Sequence, residues 1–92
     1  MNKEELISTV REYGEAIINY RSAESNKPKY NTCTLDFDNE YIKTKQNRAK
    51  ETDDTVLMFC WDVDAYRLIK TASVTSVVAL SNALKDGGKN VR

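Results

Sequence analysis

Ninety-two residues suffice for one domain and one core but not for two, since a chain of this size buries roughly two-thirds of the surface that its unfolded form exposes. A hydrophobic fraction of 40% with 30% charged residues excludes global disorder. Fourteen basic and fourteen acidic residues, a formal net charge of zero, exclude the bulk attraction that drives non-specific nucleic-acid binding.

Leu6, Val10, Tyr13, Gly14 and Ile17 recur at helical spacing, Ile7 widens the stripe, and Asn2 with Glu5 makes a capping-box-like start, so the spacing predicts a helix over 3–13. Gly14 takes the left-handed conformation readily, and the β-branched pair Ile17 and Ile18 before Tyr20 predicts a strand at 16–23. A competing reading carries the helix on to Tyr20 along the same stripe. Residues 24–29, ESNKPK, form a polar connection with the only proline. In YNTCTLDF, Cys33, Leu35 and Phe37 alternate with Thr32, Thr34 and Asp36, the pattern of a strand with one wet face. Tyr41 and Ile42 are short apolar anchors, and residues 43–54, KTKQNRAKETDD, read as a mobile loop or an exposed extended hairpin.

An apolar strand, Val56 to Trp61, the turn Asp62, Val63, Asp64 and a second strand follow, with Tyr66 and Leu68 on one face and Arg67 and Ile69 on the other. Val74, Val77, Val78 and Leu80 supply a further apolar face, and SNALK adds a helical turn. The domain is expected over 1–84, with 85–92 a flexible tail. This order predicts an α+β fold, one N-terminal helix packed on a small, strongly bent antiparallel β-sheet or SH3-like barrel. No apolar run approaches the roughly 20 residues that span a bilayer. The start MNKEE lacks a signal-peptide core, so a cytoplasmic protein with no membrane association is expected.

The chain has no histidine, which removes Ser-His-Asp and Cys-His chemistry and points to a binding module rather than an enzyme. Two cysteines make neither a disulfide framework nor a zinc site, so Cys33 and Cys60 read as buried, reduced thiols. Asp36, Asp38 and Glu40 share strand spacing but lack the glycine of a calcium loop, and Asp62 with Asp64 is ordinary turn chemistry. No metal and no cofactor are expected. Lys43, Lys45, Arg48 and Lys50 are the one basic concentration and candidate phosphate contacts, answered by Glu51, Asp53 and Asp54. Tyr30, Tyr41, Trp61 and Tyr66 would each contribute about 1–3 kcal/mol per stacked base if exposed, although such residues are more often core. Arg67, flanked by apolar residues, either pairs with Asp62, Asp64 or Asp36, or joins Arg21 in an anion site.

The succession of a short helix, AIINYRSAES, a strand and LMFCWDVDAYRLIKTASV resembles the WYL domain, a small barrel of the Sm/SH3-like type. Tyr20 and Arg21 match that family's Tyr-Arg element, Arg67 the hairpin arginine, Leu57 the end of its tripeptide and Val74 its late aliphatic residue. Thr55 and Val56 stand in place of the naming Trp and Tyr, the proline usual in the middle strand is absent, and Ser73 replaces a second arginine. The resemblance implies a regulatory domain that senses a nucleotide-like ligand or single-stranded nucleic acid. Such domains usually accompany a DNA-binding helix-turn-helix, so the expectation here is a free-standing regulator or one acting through another protein. The ligand-binding face would comprise Tyr20, Arg21, Tyr66 and Arg67. The alternative is a protein-protein interaction module, a small inhibitor or adaptor using a sheet edge or the 43–54 loop. Edge pairing makes a homodimer a further expectation in both cases.

Overall fold

Asn2 opens the fold by accepting the Glu5 amide on its side-chain oxygen (2.8 Å), and the helix α1 runs Lys3–Tyr13 with Glu4 and Glu5 in its first turn. The structure, a computed structural model, describes residues 1–43 and 50–84, so six positions of the expected loop and the expected tail at 85–92 lie outside the described residues. Gly14 ends the helix. Its amide returns to the Val10 carbonyl (2.8 Å) with φ at +78°, and β1, Glu15–Arg21, begins at the next residue. The helix therefore does not continue to Tyr20, because Ile17 and Ile18 are already in the sheet.

β1 stops two residues earlier than its sequence pattern predicts, since Ser22 starts a turn in which its amide reaches Lys27 O and the Asn26 amide reaches Ser22 O, both at 2.9 Å. β2, Pro28–Thr34, returns antiparallel in register Arg21↔Pro28 to Glu15↔Thr34. Its proline sits at the first position, where the missing donor costs least. β2 also ends before the predicted Phe37. Thr34 is buried, donates its hydroxyl to Gly14 O (3.0 Å) and accepts the Asp36 amide (3.1 Å), which turns the chain so that Phe37 joins the opposite face from Cys33. Of the two expected anchors Ile42 is buried and Tyr41 is exposed.

β3, Thr55–Cys60, and β4, Ala65–Lys70, form the predicted hairpin, closed by a turn with Asp64 at φ +51°. A 3-10 turn, Thr71–Ser73, then leads to β5, Val74–Ala79, and residues 80–84 are helical. All pairings are antiparallel, in the order β4-β3-β2-β1-β5. β4 and β5 are thus opposite edges joined by three residues. In a flat sheet four strand spacings would hold them about 19 Å apart, while three residues reach roughly 10 Å even when extended. The sheet must bend, and a bulge at Asn19/Tyr20 assists it. It is not closed, because no ladder joins β4 to β5.

The bend gives the sheet a concave face and a convex one. On the concave face Ala16, Ile18, Cys33, Val56, Met58, Cys60 and Ile69 pack under Leu6 and Val10 of α1, each fully or nearly fully buried. Full burial stabilises a large side chain by about 1.5–3 kcal/mol. On the convex face Phe59 is 2% exposed beneath edge-on contacts with Trp61 (5.0 Å) and Tyr66 (5.1 Å), and Phe37 meets Tyr66 in turn (5.3 Å). β3 is therefore covered on both sides. Among the described residues no helix is long and apolar enough to cross a membrane.

Gly14→Ala is expected to cost about 1–2 kcal/mol in urea unfolding, entirely from backbone strain, because an added Cβ meets nothing within 4 Å. A loss below a few tenths of a kcal/mol would show that the helix stop does not depend on this conformation.

Candidate functional site

Where the bent sheet fails to close, the end of β1, the turn after it and the start of β2 face β4 across a cleft of about 450 Å³. Register decides which side chains enter it. Tyr20 opposes Lys29, and Met58 opposes Arg67, so these four lie on the concave face with Ile18 and Ile69. Arg21 would point away in a straight strand, but it stands at the strand's last position beside the turn and lines the cleft too. Its Nη1 donates to Asn26 O (2.9 Å), which ties the guanidinium to that turn. Leu68, Ile69, Lys70 and Ser73 line the far wall, and Glu24 is the only carboxylate of the lining among the described residues.

Of the two alternatives for Arg67, pairing with an aspartate is not what the structure shows. The residue is exposed, and among the described residues it has no hydrogen bond or ion pair, with Asp62, Asp64 or Asp36 or with any other group. The reason is positional: β4 is an edge strand at the open seam, so the guanidinium reaches solvent without desolvation. Its charge still acts on Tyr20.

Tyr20 is held by a short polar chain. Its phenol donates to Asn31 Oδ1 (2.5 Å), Asn31 Nδ2 donates to Asp62 Oδ2 (2.9 Å), and Asp62 Oδ1 accepts the Thr32 amide (3.1 Å). Asp62 thereby replaces the strand partner that β2 loses when β3 turns away, and Asn31, 5% exposed, keeps its amide satisfied. Burial pushes the Tyr20 phenol above its ordinary value, and the nearby Arg67 charge partly offsets this.

Of the four residues expected to form the binding face, Tyr20, Arg21 and Arg67 come together and Tyr66 does not. Tyr66 opposes Phe59 and belongs to the convex aromatic cluster. Trp61 is in that cluster as well, while Tyr30 and Tyr41 are exposed, at 65% and 74%. Of the candidate phosphate contacts, Lys43 and Lys50 are exposed outside the cleft, and Lys45 and Arg48 lie outside the described residues. Lys29 and Lys70 are functional candidates that strand patterning alone did not select. Lys29 read as part of a polar connection, and only the pairing Tyr20↔Lys29 turns it inward. Compared with protein-family models, with curated proteins and with solved structures, the chain has no match.

Asp62→Ala leaves the buried Asn31 amide and the Thr32 N–H without their acceptor and is expected to cost about 2–3 kcal/mol in chemical unfolding, with Asp62→Asn losing less. Equal losses would locate the effect in the turn backbone instead. The raised Tyr20 pKa carries its own expectation. Above the ordinary tyrosine value the unfolded chain loses this proton first, so the stabilising contribution is complete below about pH 10 and declines as pH rises through the folded value. In an ultraviolet titration one of the five tyrosines should ionise late, and Tyr20→Phe should remove that late step.

Proposed function

We propose that the protein is a non-enzymatic binding module whose cleft takes the phosphates of a nucleotide or of single-stranded nucleic acid. One observation carries this reading: four cations, Arg21, Lys29, Arg67 and Lys70, share a cleft with one carboxylate among the described residues, in a chain whose net charge is zero. Zero net charge removes steering from afar, so the attraction is local to the cleft. Arg21 and Lys29 act from one wall and Arg67 and Lys70 from the other, a spacing that suits an anion lying between them. Arginine provides paired N–H donors to phosphate oxygens, and the lysines add point charges. The ring of Tyr20 offers apolar surface to a sugar or base. The WYL resemblance of Tyr20, Arg21 and Arg67 implies the same ligand class, with Tyr66 now excluded from the face.

The protein-interaction reading has one observation in its favour, the unpaired outer edge of β4, on which Leu68 is 41% exposed.

Thermal-shift and titration measurements with mono-, di- and cyclic nucleotides and short single-stranded DNA and RNA decide between the two. Stabilisation of the wild type is expected, with binding about tenfold weaker in Arg67→Ala and the salt dependence lower by about one unit of slope. Arg11→Ala, outside the cleft, should bind as the wild type does. Failure of every nucleotide and oligonucleotide to bind at low salt would refute the anion reading and leave the β4 edge as the site.

A further inference from the structure

Cys33 and Cys60 face each other across the seam between β2 and β3, with their sulfur atoms 3.3 Å apart, both free and both 0% exposed. The phase of the ladder fixes what kind of pair they make. The adjacent residues Thr32 and Trp61 are joined by Trp61 N–H to Thr32 O (2.8 Å), so the next pair along is of the non-hydrogen-bonded type. In such a pair the opposed Cα atoms come to about 4.5 Å, inside the roughly 4.4–6.8 Å that a disulfide requires.

We propose that Cys33 and Cys60 form a redox-active dithiol that closes to a cross-strand disulfide by exchange with a low-molecular-weight disulfide of the glutathione type. The seam offers the route. β1 and β2 share seven register pairs and β3 and β4 share six, but β2 and β3 share only two, and both cysteines lie at that short ladder. Opening it uncovers the thiols while each hairpin stays intact.

The two thiols are not equivalent. Either thiol can donate the hydrogen bond between them; with Cys33 as donor it stabilises the Cys60 thiolate and lowers its pKa, whereas the same bond and burial push Cys33 up. The Cys60 thiolate attacks one sulfur of the small disulfide, breaks that S–S bond and releases one thiol. Cys33 then gives up its proton and attacks Cys60 Sγ, which forms the protein disulfide and releases the second thiol. Two electrons pass from the dithiol to the reagent, and the two protons end on the two released thiols. This inference is independent of the anion-cleft reading.

The test is refolding from guanidinium in a series of oxidised-to-reduced glutathione ratios, followed by an acid quench, alkylation and intact mass measurement. The expected product is a monomer lighter by two hydrogen atoms that takes up no alkyl group, with both thiols lost together. Its melting temperature should rise by roughly 10 °C or more and return on reduction with dithiothreitol. Cys33→Ser and Cys60→Ser should each take one glutathione or one alkyl group and show no such rise. The same quench applied to protein that was never unfolded gives the readout if a variant refolds poorly. Two independent glutathione adducts, a disulfide-linked dimer, or two free thiols at the most oxidising ratio would each overturn the proposal.

Discussion

The three residues Thr71–Ser73 impose the constraint on which this molecule is built. They join strands that occupy opposite edges of a five-stranded sheet, and no flat sheet accommodates so short a link. Bending follows, and bending separates the faces into a concave one that α1 fills and a convex one that needs its own cover from Phe37, Trp61 and Tyr66. Because the bend stops short of closure, one gap is left, and the cleft occupies it. The link is itself held, by the Thr71 amide on Asp54 O (2.9 Å), so the turn is anchored to the residue that precedes β3.

Charge is distributed on the same plan. The described ion pair, Lys3 with Glu51 (3.3 Å), sits away from the cleft, and Glu51 also accepts the Leu57 amide. Asp62, the carboxylate nearest the Tyr20 end of the cleft by hydrogen bonding, is spent on Asn31 and Thr32. Glu51 and Asp62 thus serve as acceptors for backbone amides, and among the described residues Glu24 is the carboxylate that the cleft sets against its four cations. A net charge of zero is no obstacle to an electropositive site when the two signs are sorted in this way.

Local chemistry made much of the fold legible. Asn2 and Gly14 bracket the helix with signals that act within four residues, and the Asp62-Val63-Asp64 turn between two apolar runs marks the hairpin. Arg67 was legible for a different reason, as a cation among apolar neighbours, and Tyr20 and Arg21 through the Tyr-Arg element of the WYL resemblance. Tyr66 shows where such reasoning fails: the period of two already sets it opposite Arg67, and a face containing both needs a break in the strand that β4 does not have. Lys29 was illegible because its orientation depends on how many residues the turn after Arg21 consumes, a property of the pairing and not of the segment. The extent of β2 misled for a related reason. Its alternation continues through Phe37 on paper, but the Thr34 hydroxyl captures the Asp36 amide and redirects the chain.

The short ladder between β2 and β3 divides the sheet into a three-stranded leaf, β5-β1-β2, and a two-stranded leaf, β3-β4. One wall of the cleft rides on each leaf. The angle between the two leaves therefore sets the gap between the walls, and the Thr71–Ser73 link, which ties β4 of one leaf to β5 of the other, limits how far that angle can open.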